Sequence, residues 1–324
     1  MKIGILGCGH IAGKMADTIR RMDSDQYRCW AAASRDGEKA QSFARRYGIP
    51  HAYGSYEELL ADGQVDFIYI ATPHSHHARH MEQCIRAGKP VLCEKAFTAT
   101  ARQAEDVLAL ARERHVFAAE AMWTRYMPSR GIIREIVDSG VLGRVHSIQA
   151  DIGYPIRDVP RMRLPELAGG ALLDIGIYPL HFALMAFGEE VSGVHAHAVL
   201  SSEGVDLMDS ITLQWPDGRF ALLHATMLTP TGRMGYIYGE KGYMAVTNIN
   251  NPERICRFDL DHRLVEEYPV PAQITGYEYE VQACREALLR GGIECPQMPH
   301  ERTLAVMRMM DAIRMQWGMR YPFE

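Results

Sequence analysis

Apolar residues in the first third of the chain come in short unbroken runs, separated by stretches whose apolar positions recur at helical spacing. Residues 2–6, 27–34, 65–71 and 91–93 are compact enough for buried strands, and 10–22, 38–47, 56–62, 76–87 and 100–114 carry the helical period. Strands alternating with helices predict a parallel sheet with crossover connections, the α/β architecture. The texture changes after 116–120. From Met122 onward, helical stretches at 129–139, 170–187, 277–290 and 300–317 mix with strand-like runs at 145–154, 191–201, 209–215 and 219–228. Pro216-Asp217-Gly218 and Gly239-Glu240-Lys241-Gly242 are hairpin signals, so the second part is expected to build an antiparallel sheet. The pattern divides the chain into two domains, 1–121 and 122–324, without repeats, low-complexity tracts or a flexible linker.

Composition narrows the class. A chain of 324 residues with 47% hydrophobic and 23% charged content fits a soluble globular protein with substantial cores. The net charge is −5 and no long basic run appears, which argues against nucleic acid and anionic membranes as partners and for small-molecule chemistry. No apolar stretch reads as long enough to span a bilayer, and the chain enters its first strand at once, so a cytoplasmic location is expected. The seven cysteines are odd in number, scattered and without a CxxC, and are expected to be free thiols, mostly buried.

Candidate chemistry begins where the first strand runs into Gly7, Gly9 and Ala12, the spacing of a dinucleotide-binding turn. Gly7 permits the tight turn and Gly9 lets backbone approach a pyrophosphate. Ala12 lets the next helix pack closely on its strand with its first N–H groups aimed at phosphate. A strand-to-helix turn without a ligand has the same pattern, so the end of the second strand matters. An NAD-binding chain usually places Asp or Glu there. Here Ser34 and Arg35 stand instead, with Lys39 one helical turn on, groups that donate hydrogen bonds and positive charge to a 2′-phosphate. NADP(H) is therefore the expected cofactor, with NAD(H) as second choice. Asp36 and Glu38 interrupt that charge, which leaves a solvated face as the alternative.

Two further loops, ATPHSHHARH from Ala71 and CEKAFT from Cys93, fall at the carboxyl ends of parallel strands, where open sheets bind ligands. Lys95 is suited to hydrogen-bond a substrate oxygen and relay its proton, with Glu94 holding either Lys95 or the nicotinamide riboside; a surface lysine is the alternative. His76 and His80, at i and i+4 beside His74 and His77, raise a metal hypothesis. No carboxylate or cysteine at comparable spacing completes a ligand set, and no metal is expected. Trp123, Arg125 and Tyr126 read as a pocket wall for a sugar face or small ring, with Arg125 fixing a polar group, or as structural residues at the domain junction. Met307, Met309, Met310 and Met315 read as core packing of the last helix.

Together these segments resemble the glucose-fructose oxidoreductase, inositol dehydrogenase and rhizopine-catabolism (Gfo/Idh/MocA) family of NAD(P)-dependent oxidoreductases. The resemblance spans nearly the whole chain. It rests on GCGHIA at 7–12, ATPHSHH at 71–77, CEKAFT at 93–98, EAMWTRYMP at 120–128 and GGALLDIGIYPLH at 169–181. Within the family it is nearest to the branch containing dimeric dihydrodiol dehydrogenase, through MWTR, the GGALLDIG-Y segment and the RYPFE ending. It implies a Rossmann dinucleotide-binding domain followed by an α+β domain with a large, mostly antiparallel open sheet, often used for dimerisation, so a homodimer or higher homo-oligomer is the implied assembly.

With the reading of the residues themselves, the expected cofactor set is Gly7, Gly9, His10, Ile11, Ala12, Ser34, Arg35, Lys39, Thr72, Pro73, His74, His77, Glu94 and Lys95. The resemblance makes Lys95 the active-site lysine, Asp174 the aspartate of the second-domain motif and Tyr178 the general acid/base. Together with the residue-level reading, the expected substrate set is Trp123, Arg125, Asp174, Tyr178 and His181. Asp174 and Tyr178, four apart, would share one helix face, and a positive Lys95 near Tyr178 would favour loss of the phenolic proton. Without the motif, Tyr178 would read as a core tyrosine and Asp174 as a carboxylate at a helix N-terminus.

Three departures from the family pattern stand out. Ala96 replaces the proline usual after the lysine, so a cis peptide is not expected there. Tyr178 stands where many members have histidine, with His181 where they have aspartate, and His74 stands where asparagine is common. The resulting reading is an NADP(H)-dependent oxidoreductase that moves hydride between nicotinamide and a secondary alcohol or carbonyl of a small sugar, polyol or cyclic diol, such as a dihydrodiol or D-xylose. The alternative is a non-catalytic NADP(H)-binding sensor or regulatory protein of the same fold.

Overall fold

The computed structural model describes every residue, Met1–Glu324, and the chain divides into two compact units. The first comprises Met1–Tyr126 together with Gln273–Leu304, and the second Met127–Ala272 with Ala305–Glu324.

In the first unit, strands β1 (Lys2–Leu6), β2 (Arg28–Ala33), β3 (His51–Tyr53), β4 (Phe67–Ile70), β5 (Val91–Glu94) and β6 (Ala118–Ala121) form one sheet in the order β3-β2-β1-β4-β5-β6. Every neighbouring pair is parallel. β4 and β5 are buried at every position, which is why they read as unbroken apolar runs. Helices α1 (His10–Arg21), α2 (Gly37–Tyr47), α3 (Tyr56–Ala61), α4 (His74–Arg86) and α5 (Ala101–Arg114) make the crossovers. Asp36, Ser55 and Thr100 cap α2, α3 and α5, accepting the N–H of Lys39, Glu58 and Gln103. By contrast, α1 and α4 begin at Gly9 and Pro73 with no side-chain cap. These two helices follow β1 and β4, the strands between which the order reverses, where open α/β sheets take their ligands.

The division expected at 121/122 differs from these units, because 273–304 packs with the first. The Ala118 N–H of the edge strand β6 donates to the Ile293 carbonyl at 3.1 Å, and His300 Nε2 lies 2.8 Å from the Ala118 carbonyl. The Thr303 hydroxyl donates to Glu120 Oε2 at 2.9 Å. These contacts cover an edge that would otherwise stay open.

The second unit holds β7 (Val145–Gly153), β8 (Gly193–Leu200), β9 (Asp206–Gln214), β10 (Phe220–Thr226), β11 (Met234–Gly239), β12 (Gly242–Thr247), β13 (Arg254–Phe258) and β14 (Leu264–Tyr268). They form one sheet ordered β14-β13-β12-β11-β7-β10-β9-β8, antiparallel except between β7 and β10. Across its middle, Leu213, Ala221, Ile148 and Ile237 form a buried row, each 1% exposed or less. Its helices are α6 (Pro128–Asp138), α7 (Pro160–Arg163) and α8 (Ile177–Phe187), the last preceded by a π-helical turn at Leu172–Gly176. The π-turn and α8 lie on β7 and β10. α9 (Glu278–Leu289) belongs to the first unit, and α10 (His300–Gln316) crosses the division.

One expectation is corrected here. The segment Pro165–Phe187 is long and apolar enough to cross a membrane by length and composition, although no such stretch was expected. Its most apolar window is entirely buried inside the protein, as a helix apolar on all sides must be when it lies in a core.

Candidate active site

Gly7 closes β1 at a φ of +102°, and a Cβ there would stand 2.8 Å from the Ala71 carbonyl oxygen, so only glycine fits the turn. Gly9 follows as the N-terminal flank of α1, and the buried Ala12 lies in its first turn. With no side chain capping α1, its first N–H groups have no side-chain acceptor from the chain's own cap, the condition an anionic ligand requires. A cavity of about 480 Å³ opens beside them, lined by Gly9, His10, Lys14, Lys39 and Arg46 among others. Arg35 faces a second cavity, about 320 Å³, with Tyr56, His76, Arg79 and His80. Arg35 and Lys39 thus open onto different cavities. Ser34 is buried, and its hydroxyl accepts the Asp36 N–H at 3.3 Å.

Glu94 and Lys95 leave the end of β5. The Tyr69 hydroxyl donates to Glu94 Oε1, and burial together with the Glu94 charge holds that phenol well above its usual range. The Lys95–Ala96 peptide is cis, contrary to the expectation drawn from Ala96 replacing proline. Ala96 is fully buried, its carbonyl lies 2.8 Å from His77 Nδ1, and the next N–H, that of Phe97, donates to Glu120 Oε1 at 3.2 Å.

His77 was expected on the cofactor, and the structure gives it another task. Its Nε2 lies 2.8 Å from the Thr72 carbonyl while Nδ1 meets Ala96, so the ring ties the loop after β4 to the lysine loop. Burial pushes its pKa down to about 4, while the two carbonyls pull it up, since a neutral ring can donate to only one of them. His80 Nδ1 lies 3.0 Å from the Thr72 hydroxyl, and burial pushes that ring to about 3. His74 is buried edge-on to His77. His76 shares a helix face with His80 and is lowered by burial and then by the Arg35 and Arg79 charges. No three His, Cys, Asp or Glu side chains are grouped to hold a metal ion.

Trp123 stacks on Tyr277 with ring centres 4.4 Å apart and planes 14° from parallel. Tyr277 comes from the returning segment and was not singled out in the sequence. Arg125 is 1% exposed and its charge bears on Glu120, a placement that fits the structural reading rather than a hand on substrate. The Tyr126 hydroxyl donates to the Glu120 carbonyl at 2.8 Å. Glu120 was also not singled out, although it opens the EAMWTRYMP segment.

In the second unit, Asp174 lies in the π-turn and Tyr178 in the first turn of α8, so the pair straddles a change of helical pitch instead of one regular helix. Both are buried, at 6% and 8% exposure. Arg161 Nη1 donates to Asp174 Oδ1 at 3.0 Å. This partner was not singled out in the sequence, where nothing in the spacing of Arg161 links it to Asp174. His181 is wholly buried on the same helix.

Comparison with known proteins agrees with this geometry. Residues 1–121 match a family described as oxidoreductase family, NAD-binding Rossmann fold, and residues 132–245 match the GFO/IDH/MocA C-terminal domain. The chain is 36% identical over 332 residues to trans-1,2-dihydrobenzene-1,2-diol dehydrogenase of Xenopus tropicalis, covering 99% of both chains. It is 31% identical over 335 residues to the human protein of that name, covering 99% of this chain and 98% of that one. A 3-ketoreductase from Actinomadura kijaniata, crystallised with NADP and TDP-benzene, superposes with a TM-score of 0.89 at 26% identity over 97% of both chains. An aldose-aldose oxidoreductase from Caulobacter crescentus shares the fold, with a TM-score of 0.87 at 24% identity over 98% of both chains. A nucleotide-binding Rossmann unit, an antiparallel second sheet and full-length relatives of 30% identity or more lead to one conclusion: the chain belongs to the Gfo/Idh/MocA family of NAD(P)-binding oxidoreductases that act on CH–OH donors.

Proposed function

We propose that this protein is an NADP(H)-dependent dehydrogenase acting on a secondary alcohol of a small polyhydroxylated ring, a cyclic trans-diol or a sugar. The observation that carries the reading lies at the carboxyl ends of β1, β4 and β5. There a glycine turn against Ala71, an α1 with no side-chain cap and a lysine loop pinned by His77 occur on one sheet edge. The full-length relatives are named for a trans-dihydrodiol, and the ketoreductase of similar fold was crystallised with NADP.

The N–H groups from Gly9 to Ala12 would take the pyrophosphate, Arg35 the 2′-phosphate, and Thr72 to His74 with Glu94 the remaining length of the dinucleotide. When bound, that cofactor supplies the acceptor or donor of hydride. In the oxidative direction the alcohol loses hydride from carbon and a proton from oxygen. By their match to the family motifs, Tyr178 is assigned the proton and Lys95 the stabilisation of developing negative charge. Asp174, held by Arg161, orients the neighbouring hydroxyl. The stacked Trp123 and Tyr277 offer a flat wall to the ring.

We also infer a homodimer formed through the open face of the second sheet, where Phe220 and Leu222 are 40% and 49% exposed beside Tyr236, Tyr238 and Tyr243. Light scattering should give twice the chain mass of 36.5 kDa; a monomer would contradict it.

Fluorescence titration with NADPH and NADH tests the cofactor. Wild-type protein should prefer NADPH, and Arg35→Ala should weaken NADPH by about tenfold to a hundredfold, the value of a charged hydrogen bond, while leaving NADH unchanged. Equal affinity for the two nucleotides in the wild type would sink the NADP(H) reading.

A further inference from the structure

The π-turn that carries Asp174 begins at Ala171, which has no side chain to cap it. Its cap comes from a neighbouring strand. Where β8 meets β9, Val199 faces Met208 but Leu200 faces Asp206, so β9 carries one extra residue, Leu207. In a regular strand, 206 and 209 would point to opposite faces. This bulge turns Asp206 onto the same buried face as Asp209, at 0% and 2% exposure.

Asp206 Oδ2 then accepts the Leu172 N–H at 2.6 Å. The approach leaves no room for a side chain, because a Cβ on Gly170, whose φ is +111°, would stand 2.0 Å from Asp206 Oδ1. At the other end of the turn, a Cβ on Gly176 would meet Asp209 Oδ2 at 3.4 Å. Gly170 and Gly176 therefore seat the turn on two carboxyls of one strand. The chain's last residues hold the entry to the same turn. The Tyr321 hydroxyl donates to the Gly169 carbonyl at 3.2 Å, and Arg314 pairs with Asp311 and Glu324 at 2.6 Å each.

We propose that Asp206 is a positioning residue for the reaction, its carboxyl fixing the start of the π-turn and hence the placement of Asp174 and Tyr178. This rests on the reading in which Tyr178 exchanges the substrate proton. The electrostatics fit the geometry. Burial pushes Asp206 up to about 6, against the pull of the Leu172 and Ala171 N–H groups, and it raises Asp209 much further with help from the Asp206 charge. Asp206 belongs to the second unit, whereas the glycine turn and Arg35 belong to the first, and the proposal gives Asp206 no part in holding the nucleotide.

The test uses the whole protein as wild type, Asp206→Asn and Asp206→Ala, with hydrogen exchange of the peptide spanning 169–178, turnover of trans-1,2-dihydrobenzene-1,2-diol with NADP⁺, and NADPH affinity. Asn keeps a neutral acceptor and Ala keeps none. Exchange should therefore rise, and kcat fall, by about threefold in Asp206→Asn and about tenfold or more in Asp206→Ala, with NADPH affinity constant. If Asp206→Ala does not fold, the matched change in Asp206→Asn decides alone. Unchanged kcat, or kcat lost without faster exchange, overturns the proposal. No turnover of this diol or of D-xylose by wild-type protein contradicts the substrate class, and the positioning role loses the reading it rests on. Exchange then still shows whether Asp206 caps the turn, which separates the two failures.

Discussion

The Lys95 loop is held by two buried titratable side chains whose responses to pH run in opposite directions. Glu120 accepts the Phe97 N–H, and burial moves it from 4.5 to about 7, so the folded state favours its protonated form. Its stabilising contribution is complete below about pH 4.5 and is lost as pH rises through about 7. His77 moves from 6.5 down to about 4, so its contribution is present above 6.5 and is lost as pH falls through about 4. Glu120→Gln mimics the protonated acid. Its stability, followed by thermal melting, should gain on wild type between about pH 5 and pH 8, towards a ceiling of about 3 kcal/mol. A gap that does not change with pH would show that Glu120 is ionised in the folded protein at all these values. Neither role was legible in the sequence. A histidine in ATPHSHH and a glutamate in EAMWTR look alike whether they face a ligand or a backbone carbonyl, and only the fold supplies Ala96 and Thr303 as partners.

At the scale of elements, the contrast among helix starts does the sorting. Asp36, Ser55 and Thr100 satisfy the helices that only cross over, while α1 starts bare at Gly9. Gly9 has an ordinary φ of −92°, and a Cβ there would lie 4.0 Å from its nearest neighbour, so a larger residue fits the protein itself. Gly9→Ser should therefore fold normally, with a few tenths of a kcal/mol added by the new cap. It should weaken NADPH by about tenfold or more, because the serine takes the N–H groups and fills the approach to them. Calorimetry of the free protein beside nucleotide titration checks both halves, and unchanged NADPH affinity would move the phosphates elsewhere. Most elements were readable because β4 and β5 are wholly buried and the helices carry their own period. β3 has three residues and β14 is exposed along most of its length, so neither leaves a period-two pattern. The π-turn was invisible for the opposite reason. Leu172–Phe187 is buried on every side, and a segment with no polar face does not report its pitch.

At the scale of the molecule, local pattern could mark where the texture changes near Met122 but not that 273–304 returns to the first unit. That return depends on long-range partners, Ile293 and His300 against Ala118 and Thr303 against Glu120, which no periodicity encodes. The motifs, in contrast, carried family membership because they record chemistry at fixed spacing, and full-length relatives agree with them. The central claim is that Tyr178 exchanges the substrate proton in an NADP(H)-dependent oxidation. It is tested most directly by following NADPH formation from trans-1,2-dihydrobenzene-1,2-diol and from D-xylose with wild-type protein and with Tyr178→Phe, which loses only the hydroxyl. Wild type should form NADPH from at least one of the two, and Tyr178→Phe should show a kcat lower by about a hundredfold or more with NADPH affinity unchanged. Equal turnover by the two proteins would remove Tyr178 from the chemistry, and no turnover of either compound by wild type would contradict the substrate class.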